Sequence, residues 1–474
     1  MTKFHGFLVL AAVLFSQTVC GQVRKSEGAA VRKPNVLFIV ADDMNRYSVL
    51  KNYPVLQTPA IDKLVSQSYL FTNASCAAPV CIPSRTSFFS GRYPHNTGAY
   101  FNGVNPWENP LLAATEVIPE TFKKNGYETW GRGKSFHVEL PDGREQAMFD
   151  NKIFKGGYGP FGLKKDWYGR NRWSVIKPWE GPDTDFPDVK NADAAIAFLS
   201  QAHDRPFFMY LGLFRPHTPY TAPKRFWDLY KDVQFTLPPG YLESDLDDVP
   251  GLGRELVDSM KNYSREGMTR EEVLLTMLRA YCANTSFADW NLGRVLEALN
   301  KSPFAQNTIV IFCSDNGFHT GAKNHWVKST LWDQADMVPM LIRLPDGKAY
   351  RCPQTVSLID IYPTLVDYCG LKGPGHPLDG RSMVPILKNP AAKWERNGYT
   401  VYGAGYSGVC DERYRYIRYP DGSEELYDHK SDPYEHKNIA SQKGMETVKK
   451  RLAATIPAKF AKSMGGRGEI RSEE

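Results

Sequence analysis

Four strand candidates, spread along the 474 residues of the chain, are each followed closely by polar residues. Three of them are unbroken apolar runs, which are typical of strands buried on both faces of a parallel sheet. This pattern restricts the fold more than any other feature, because ligands of such sheets bind beyond the carboxyl ends of the strands. The four strand candidates are residues 35–40, 127–131, 206–214 and 308–313.

Helix signals alternate with these strands. Thr58-Pro59 opens one helix, Asp188 is placed to cap a second, and Thr269 with Glu272 forms a capping box before a long third helix. Such alternation predicts a doubly wound α/β fold, in which a mostly parallel sheet lies between layers of helices. We therefore expect the functional site at the edge where the four strands end.

The length allows one large domain and a smaller one. Residues 234–267 are rich in Asp, Gly and Pro and are expected to form a surface excursion. From residue 399, aromatic residues alternate with polar ones around a turn at Asp421-Gly422, which indicates a small antiparallel sheet, followed by a helix near residues 443–462. We predict a large α/β domain at residues 22–390 and a smaller C-terminal α+β subdomain at 396–474. The oligomeric state stays open.

The N-terminus has the pattern of a secretory signal peptide. Lys3 is followed by an apolar run from Gly6 to Phe15 and then by small and polar residues through Gly21. This run is too short to span a bilayer, and we expect no membrane span in the mature chain. The sequence predicts cleavage of residues 1–21 and a secreted or periplasmic protein.

The formal net charge is +6, without a lysine and arginine block of the kind that binds nucleic acid. Nucleic acid is therefore not an expected partner. A modest positive excess suits an anionic substrate, although solvated surface charge accounts for it equally well.

Oxygen ligands follow two of the predicted strands. Asp42 and Asp43 come after the first, and Asp315 and Asn316 come after the last. Carboxylate and amide oxygens are the ligands that hard cations such as Ca²⁺ prefer, whereas zinc prefers His and Cys. Either pair alone has an alternative role in turns and caps. Together, at neighbouring strand ends, the four residues favour a site for one Ca²⁺.

Cys81 begins the string CIPSRTSFFSGR, in which Pro83 suits the first turn of a helix. A cysteine at that position meets the free N–H groups and the dipole of the helix N-terminus, which favour a developing anion. Arg85, one turn later, adds a permanent positive charge. A lone cysteine before a helix is more often simply buried, so the residue types alone leave both interpretations open.

The whole string from Cys81 to Arg92 resembles the signature of the type I, formylglycine-dependent sulfatases. That signature reads C-x-P-S-R, three variable residues, an apolar residue, Thr or Ser, and Gly-Arg. The resemblance implies that a formylglycine-generating or sulfatase-maturing enzyme oxidises Cys81 to formylglycine, an aldehyde whose hydrate is the nucleophile. It also implies that residue 81 joins Asp42, Asp43, Asp315 and Asn316 around the calcium ion.

Further residues resemble the family's catalytic elements. Lys134 and His137 stand in GRGKSFH, His217 in FRPHTPY and Lys328 in HWVKST. The resemblance implies that Lys134 binds the modified residue and a sulfate oxygen, with Arg85 supporting ionisation of a hydroxyl. His137 would accept a proton, and His217 with Lys328 would neutralise the leaving oxygen.

Six further segments are similar to the iduronate-2-sulfatase branch, among them NVLFIVADD, PFFMYLGLFRPHTPY and ELYDHKSDPYEHKN. The resemblance implies the fold of the alkaline phosphatase superfamily and a substrate that is a sulfated uronate or another polysaccharide-derived sugar. Asn316 departs from that branch, whose best-known member has His there.

Two other functions are kept open. One is a phosphate or phosphonate ester hydrolase of the same superfamily, and the other is a sugar-sulfate binding protein in which Cys81 is never converted. For sugar contacts we consider the C-terminal residues Tyr406, Arg413 and Arg415, whose alternative is a solvated sheet face. Lys323 and His325 are further candidates for the pocket wall, with surface roles as the alternative.

The chain has eight cysteines. Without Cys20, which the signal peptide contains, and Cys81, which is modified, six are left. Export permits disulfides, but the sequence does not determine their pairing. Cys313 lies in the apolar run IVIFC and is expected to be a buried thiol.

Overall fold

The structure, a computed structural model, describes residues 1–2, 33–257 and 263–466. All but the first two residues of the predicted signal peptide therefore lie outside the described residues. Within the described ranges, no helix is both long and apolar enough to cross a membrane.

Every strand predicted from an apolar run is present, and each extends to the polar residue that ends it. The strands are β1 (Asn35–Asp42), β2 (Tyr69–Ser75), β3 (Glu128–Gly133), β4 (Ile176–Trp179), β5 (Phe207–Pro216), β6 (Tyr220–Pro223), β7 (Thr308–Ser314), β8 (His319–Thr320), β9 (Trp326–Val327), β10 (Met340–Arg343), β11 (Tyr350–Ser357), β12 (Gly398–Val401), β13 (Ser407–Cys410), β14 (Tyr414–Arg418) and β15 (Glu424–Asp428).

The helices connect these strands, and the longest is the one predicted from the capping box at Thr269. They are α1 (Tyr47–Leu50), α2 (Pro59–Val65), α3 (Cys81–Ser90), α4 (Pro94–Thr97), α5 (Pro110–Ala113), α6 (Ile118–Lys124), α7 (Arg144–Met148), α8 (Pro187–Leu199), α9 (Lys224–Asp228), α10 (Gly251–Glu255), α11 (Arg270–Lys301), α12 (Asp333–Asp336), α13 (Ile361–Tyr368), α14 (Val384–Lys388) and α15 (Glu446–Ala453).

The main sheet has the order β11-β2-β10-β7-β1-β5-β3. Strand β10 is antiparallel to both of its neighbours, and the other pairs are parallel. The parallel strands β7, β1, β5 and β3 are adjacent, so their carboxyl ends lie side by side. The predicted mostly parallel α/β sheet is confirmed.

Side chains of β1 alternate between two cores, as the pleat of a strand requires. Phe38 and Val40 pack into a cluster that includes Phe88 of α3. Leu37 and Ile39 pack into a second cluster that contains apolar residues of α2, α8 and α11. Full burial of each such side chain stabilises the fold by roughly 1.5–3 kcal/mol. The sheet is thus covered by helices on both faces, which fixes the strand ends that form the site.

Helix α2 begins at Pro59, as Thr58-Pro59 predicted, whereas the predicted cap of α8 at Asp188 is wrong. Neither side chain caps its helix. The carboxylate of Asp188 instead accepts hydrogen bonds from the backbone N–H groups of Phe214 and Arg215, at 2.8 and 3.0 Å. The first turn of α2 is capped from α11, by Asp289. These tertiary contacts take the place of local caps. The sequence pattern does not predict them, because the partners lie far away in sequence.

The C-terminal aromatic segments form the predicted antiparallel sheet, in the order β12-β13-β14-β15. Gly422 has a φ of +86° in the turn between β14 and β15, as the sequence predicted for this hairpin. The terminal helix, α15, is shorter than the predicted span of residues 443–462.

Residues 234–257 are more than a surface excursion. Phe235 and Val249 are buried in separate aromatic clusters, and Asp245 is 1% exposed. The segment is a surface excursion, as predicted, and these apolar side chains anchor it to the protein interior. Each cysteine in the described ranges is free and buried, and Cys313 is the buried thiol that its apolar run predicted.

Candidate active site

The structure brings the predicted site residues together at one edge of the main sheet. Strand β1 ends at Asp42, and its neighbour β7 is followed by Asp315 and Asn316. Lys134 and His137 follow β3, His217 follows β5, and Lys328 follows β9. Cys81 and Arg85 belong to α3, which follows β2. The site is therefore assembled from strand ends and one helix N-terminus.

Four acidic or thiol groups converge closely enough to bind one metal ion. Ligand atoms of Asp42, Asp43, Cys81 and Asp315 all lie within 4.8 Å of one another, and all four residues are buried. Asp43 has a φ of +65°, an uncommon conformation for a residue with a side chain. Its N–H donates to Asp315 Oδ1 at 3.2 Å, and its carbonyl accepts from the hydroxyl of Tyr281 at 2.8 Å. These bonds hold the turn that joins two of the carboxylates.

Asn316 gives an independent test of whether a cation fits. Its Nδ2 donates to Asp43 Oδ1 at 2.9 Å. Its Oδ1 is buried and accepts no hydrogen bond from the described residues. Exchanging the two amide atoms would turn this oxygen toward the carboxylates, where a hard cation prefers an oxygen ligand. Three carboxylates and one amide oxygen therefore suit a hard cation.

Three cations offset the three carboxylates. Lys134 pairs with Asp42, Lys328 pairs with Asp43, and Arg85 Nε binds Asp315 Oδ2 at 2.8 Å. Burial opposes ionisation of both Asp42 and Asp43. The ammonium groups of Lys134 and Lys328 outweigh it and hold the pKa of each carboxyl below its ordinary value. The carboxylates are therefore ionised and ready to bind a cation.

Arg85 is fixed by more than one contact. Its NH1 donates to the carbonyl oxygens of Lys134 and Ser135, at 2.7 and 2.9 Å, and to the hydroxyl of Tyr210 at 3.1 Å. Arg85 is fully buried. It therefore links α3 to the end of β3 and orients Asp315, whereas the two lysines have flexible side chains.

Cys81 is the first residue of α3, the position that Pro83 predicted. Its Sγ lies 2.8 Å from Lys328 Nζ and 3.4 Å from Asp42 Oδ1. Burial and the charge of Asp42 raise the pKa of the thiol well above its ordinary value. The unmodified thiol is thus a poor nucleophile, because the thiolate is the reactive form.

The two histidines lie on different sides of the cluster. His217 donates from Nδ1 to the carbonyl oxygen of Thr218 at 2.6 Å, which leaves Nε2 facing Asp43 Oδ2 at 3.6 Å. His137 lines a cleft of about 370 Å³ together with Ile82, Asn102 and Val138. Burial and the charges of Lys134 and Arg85 hold the pKa of His137 well below its ordinary value. His137 is therefore uncharged, and its Nδ1 is buried without a hydrogen-bond partner among the described residues.

The sulfatase family profile matches residues 34–371 of this chain, which include every residue of the cluster. The chain belongs to the sulfatase family. A second profile, N-sulphoglucosamine sulphohydrolase, C-terminal, matches residues 321–462. Membership makes the protein a sulfuric ester hydrolase, as the string at Cys81 predicted.

Two curated relatives extend the match over most of the chain. A sulfatase of Formosa agariphila is 35% identical over 96% of this chain and 92% of its own length. The iduronate 2-sulfatase of Mus musculus is 29% identical over 72% of this chain and 69% of its own length. The likeness to the iduronate-2-sulfatase branch is therefore confirmed at the level of family membership.

A solved structure of another enzyme has the same fold. The phosphonate monoester hydrolase of Silicibacter pomeroyi superposes with a TM-score of 0.72, over 89% of this chain and 94% of that chain. The sequence identity is 20%, so the match supports the fold alone.

Some residues proposed for the pocket wall lie elsewhere. Lys323 is buried and its Nζ pairs with Asp245 Oδ1 at 2.9 Å. Arg415 is 1% exposed and pairs with Asp336 at 2.7 Å, so its proposed contact with sugar was wrong. Arg413 is exposed, but both arms of its guanidinium bind Asp428.

Tyr406 and His325 also have structural surroundings. Tyr406 is 6% exposed and packs against the ring of Tyr419 at 5.9 Å. His325 is buried, and its Nε2 donates to the carbonyl oxygen of Lys328 at 2.9 Å. His325 thus supports the loop of Lys328 through the backbone.

Sequence reasoning missed several aromatic residues that contact the site. Tyr210 binds Arg85, Tyr281 binds Asp43, and the ring of Tyr158 lies 5.2 Å from Lys134 Nζ. Tyr210 had a signal, because it is the polar-tipped side chain within the apolar run PFFMYLGLF and a buried tyrosine hydroxyl needs a partner. Tyr158 lies in GGYGPFG, which reads only as a loop.

Proposed function

We propose that this sulfatase hydrolyses sulfate monoesters of carbohydrates through a formylglycine formed from Cys81, with one bound Ca²⁺. The observation that supports it most is the position of Cys81. It begins a helix beside Lys328 and within reach of three carboxyl groups. A maturing enzyme would supply the aldehyde, whose hydrate provides the nucleophilic oxygen that a buried thiol lacks.

We assign the metal ligands to Asp42, Asp43, Asp315 and Asn316, together with modified residue 81. A bound Ca²⁺ would act as a Lewis acid toward a sulfate oxygen. The donors are hard oxygens, and the amide oxygen of Asn316 lacks a hydrogen-bond donor among the described residues. The same ligand set gives Lys134 and Lys328 a second use, since both are free to turn toward substrate when a cation binds their carboxylates.

The remaining assignments follow from charge and position. Lys134 and Lys328 are the flexible cations of the cluster and bind the sulfate oxygens. Arg85 stays with Asp315 and holds α3 in place. His137 is neutral and beside the cleft, so it accepts a proton from residue 81. His217 faces the cluster with Nε2 and contacts the sulfate ester; it donates to the leaving oxygen only as the imidazolium, because Nδ1 carries the single proton of the neutral ring.

For the substrate we propose a sulfated uronate or another sugar from an acidic polysaccharide. The mouse relative, whose name specifies iduronate 2-sulfate hydrolysis, supports the uronate. The signal-like residues 1–21 support export to the secreted or periplasmic space, where such polymers are met. We further propose the division into a catalytic domain, residues 22–390, and a C-terminal subdomain, residues 396–474.

The test of the substrate is hydrolysis of defined sulfated mono- and oligosaccharides. We expect the highest kcat/KM on 2-O-sulfated uronates, with neutral sugar sulfates about tenfold lower, because a charged contact contributes roughly 1.5–3 kcal/mol. A clear preference for neutral sugar sulfates would contradict the uronate and leave the sulfatase in place.

The phosphonate hydrolase remains a second candidate because a phosphonate monoester hydrolase has the same fold. The two functions separate on matched nitrophenyl esters. We expect the sulfate ester to be hydrolysed at least a hundredfold faster than the phosphonate ester, a difference of about 2.7 kcal/mol in barrier. The reverse order would favour the phosphonate hydrolase. Conversion of Cys81 to formylglycine would exclude the other alternative, a sugar-sulfate binding protein in which Cys81 is never converted.

A further inference from the structure

Residues between α7 and α8 bring a row of aromatic rings to the site. The first ring, Tyr158, lies 5.2 Å from Lys134 Nζ and 4.5 Å from the ring of His217. The next ring outward is Trp173, at 5.1 Å from Tyr158 and 5.9 Å from His217. Phe161 follows at 5.3 Å from Trp173. The row therefore begins at catalytic side chains and extends toward the surface.

The inner end of this row is held by a buried arginine. Arg215 is 1% exposed, and its NH2 donates to the carbonyl oxygen of Tyr158 at 2.9 Å and to Thr221 Oγ1 at 3.0 Å. The ring of Tyr158 also packs edge-on against Phe214, at 5.0 Å. These contacts join the loop of Tyr158 to the end of β5. The aromatic row is consequently a fixed wall.

The outer end of the row bears an unpaired cation. The guanidinium of Arg172 lies 4.6 Å from the ring of Phe161 and 5.5 Å from that of Trp173. Arg172 is exposed, and the ion pairs among the described residues do not include it. Stacking on the rings orients the guanidinium plane, while its N–H fork stays available to bind an anion.

We propose that Tyr158, Trp173 and Arg172 form a substrate rim that recognises the sugar. The half-buried indole of Trp173 stacks on the pyranose ring, and Arg172 binds an anionic group, a carboxylate or a second sulfate, on that sugar or the next. The inference rests on the proposed carbohydrate substrate and assigns its recognition to named residues. The rim takes the role in sugar recognition that the sequence suggested for Arg415 and Arg413, which are paired with Asp336 and Asp428.

The chemistry of the rim matches that of an acidic sugar. Aromatic faces bind the apolar C–H faces of sugars, and a guanidinium binds a carboxylate or sulfate through two parallel hydrogen bonds. Lys134 and Lys328 are already assigned to bind the sulfate ester itself. A cation beyond the cluster therefore has no anion to bind on a neutral sugar, whereas it can bind the second negative charge of an acidic one.

The test compares three substrates in four variants. The substrates are a disaccharide with a 2-O-sulfated uronate, its carboxyl-reduced analogue, and the same reduced sugar with a second sulfate. The variants are Arg172→Gln, Trp173→Ala, Trp173→Phe and the control Arg170→Gln, which removes an exposed arginine two residues away. Thermal unfolding of each variant checks folding, and 4-nitrophenyl sulfate checks that the sulfatase is active.

We expect Arg172→Gln to lower kcat/KM about tenfold or more on a substrate with a second anion, and less than about twofold on the reduced sugar. The substrate whose kcat/KM falls, either the uronate or the reduced sugar with a second sulfate, identifies the anion that Arg172 binds. We expect Trp173→Ala to lower kcat/KM about tenfold on all three sugars, with Trp173→Phe recovering most of it. The control variant should behave as wild type.

Equal losses on charged and reduced substrates in Arg172→Gln, or no loss, would overturn the inference. The comparison is made within one variant, so a folding defect cannot mimic selectivity. If the wild type hydrolysed 4-nitrophenyl sulfate but none of the sugar sulfates, the proposed role of the rim would be contradicted, whereas the sulfatase activity would not. Failure on every substrate would contradict the proposed function as well.

Discussion

Two buried clusters of acidic and basic residues in this molecule look alike in composition and differ in use. The first is the site cluster, Asp42, Asp43, Asp315 and their cations. The second, here called the buried network, contains Asp333, Asp336, Glu435, His429 and Arg415. Both place enough ligand atoms within 4.8 Å of one another to bind a metal ion. Composition alone therefore does not separate a metal site from a structural ion-pair network.

The two clusters differ in the pKa of one carboxyl group, that of Asp336. In the site cluster, lysine charges overcome burial and lower the pKa of Asp42 and Asp43. In the buried network, burial and the charges of Glu435 and Asp333 raise the pKa of Asp336 to about 8 despite Arg415. Asp336 is therefore a weaker cation ligand than Asp42 or Asp43. Asp333 of the same network differs from it, because the charge of Arg46 outweighs burial and lowers the pKa of Asp333 to about 2.

The neutralising cations differ as well. Arg415 spans the buried network with a rigid fork, at 2.7 Å from Asp336 and 2.8 Å from Glu435. The site cluster instead uses lysines, whose ammonium groups turn on flexible stems. A lysine can move away from its carboxylate when a metal ion or a sulfate binds, whereas Arg415 stays paired with its carboxylates. The comparison teaches that mobile cations beside ionised carboxylates mark the functional cluster.

The largest expected effect is loss of the metal ion. We expect one Ca²⁺ per chain, and its removal by a chelator should lower activity about a thousandfold, because a Lewis acid contributes several kcal/mol to such reactions. Asp315→Asn should lower both the calcium content and activity. The matched change Glu435→Gln should leave one Ca²⁺ bound. A second bound ion that disappears in Glu435→Gln would contradict the comparison.

A pair of lysines five residues apart sharpens the comparison. Lys328→Met should lower kcat about 100- to 1,000-fold, because it removes a cation from the developing charge. Lys323→Met should instead lower the free energy of unfolding by about 3 kcal/mol, because it leaves Asp245 buried without its partner. Urea unfolding and kcat measured on both variants give the two readouts. The same pattern of losses in both would show that the two lysines have the same role.

The smallest effect concerns His429 in the buried network. Burial lowers its affinity for a proton, but the hydrogen bond and charge of Glu435 outweigh this and raise the pKa of His429. A raised folded-state pKa stabilises the fold below the ordinary pKa and loses this contribution as pH rises through the folded value. We expect the wild type to exceed His429→Gln in unfolding free energy by less than about 1 kcal/mol at pH 6.

That difference should shrink as pH rises toward 9, because the folded chain progressively loses the proton that Glu435 stabilises on His429. Chemical denaturation at the two pH values provides the measurement. A difference that grows with pH would reverse the sign and exclude protonated His429 as a stabilising partner of Glu435.

The residues whose place in the cluster the sequence predicted correctly are those that follow the end of a strand. Asp42 and Asp315 directly follow apolar runs, and parallel strands bring their ends together whatever the rest of the chain does. The misplaced residues depend on distant partners. Lys323 meets Asp245, 78 positions earlier, and Arg415 meets Asp336, 79 positions earlier. No local pattern reports such pairs.

The substrate rim was missed for a related reason. Trp173 and Arg172 lie in a segment with little regular structure, and their place beside His217 depends on Arg215 binding the loop of Tyr158. Aromatic residues in a Gly-rich loop indicate exposure but no particular neighbour. The fold class was therefore accessible from hydrophobic periodicity, whereas the walls of the pocket required the tertiary structure.

The central claim is that the nucleophile is made from Cys81, and its chemical state can be measured directly. Conversion replaces the sulfur and two hydrogens of the side chain by one carbonyl oxygen, which changes the mass of the peptide containing position 81 and makes it reactive toward a hydrazide. We expect the converted fraction to equal the fraction of active enzyme, and Cys81→Ala to be folded and inactive. Full activity from protein whose position 81 is entirely a thiol, or from Cys81→Ala, would contradict the account.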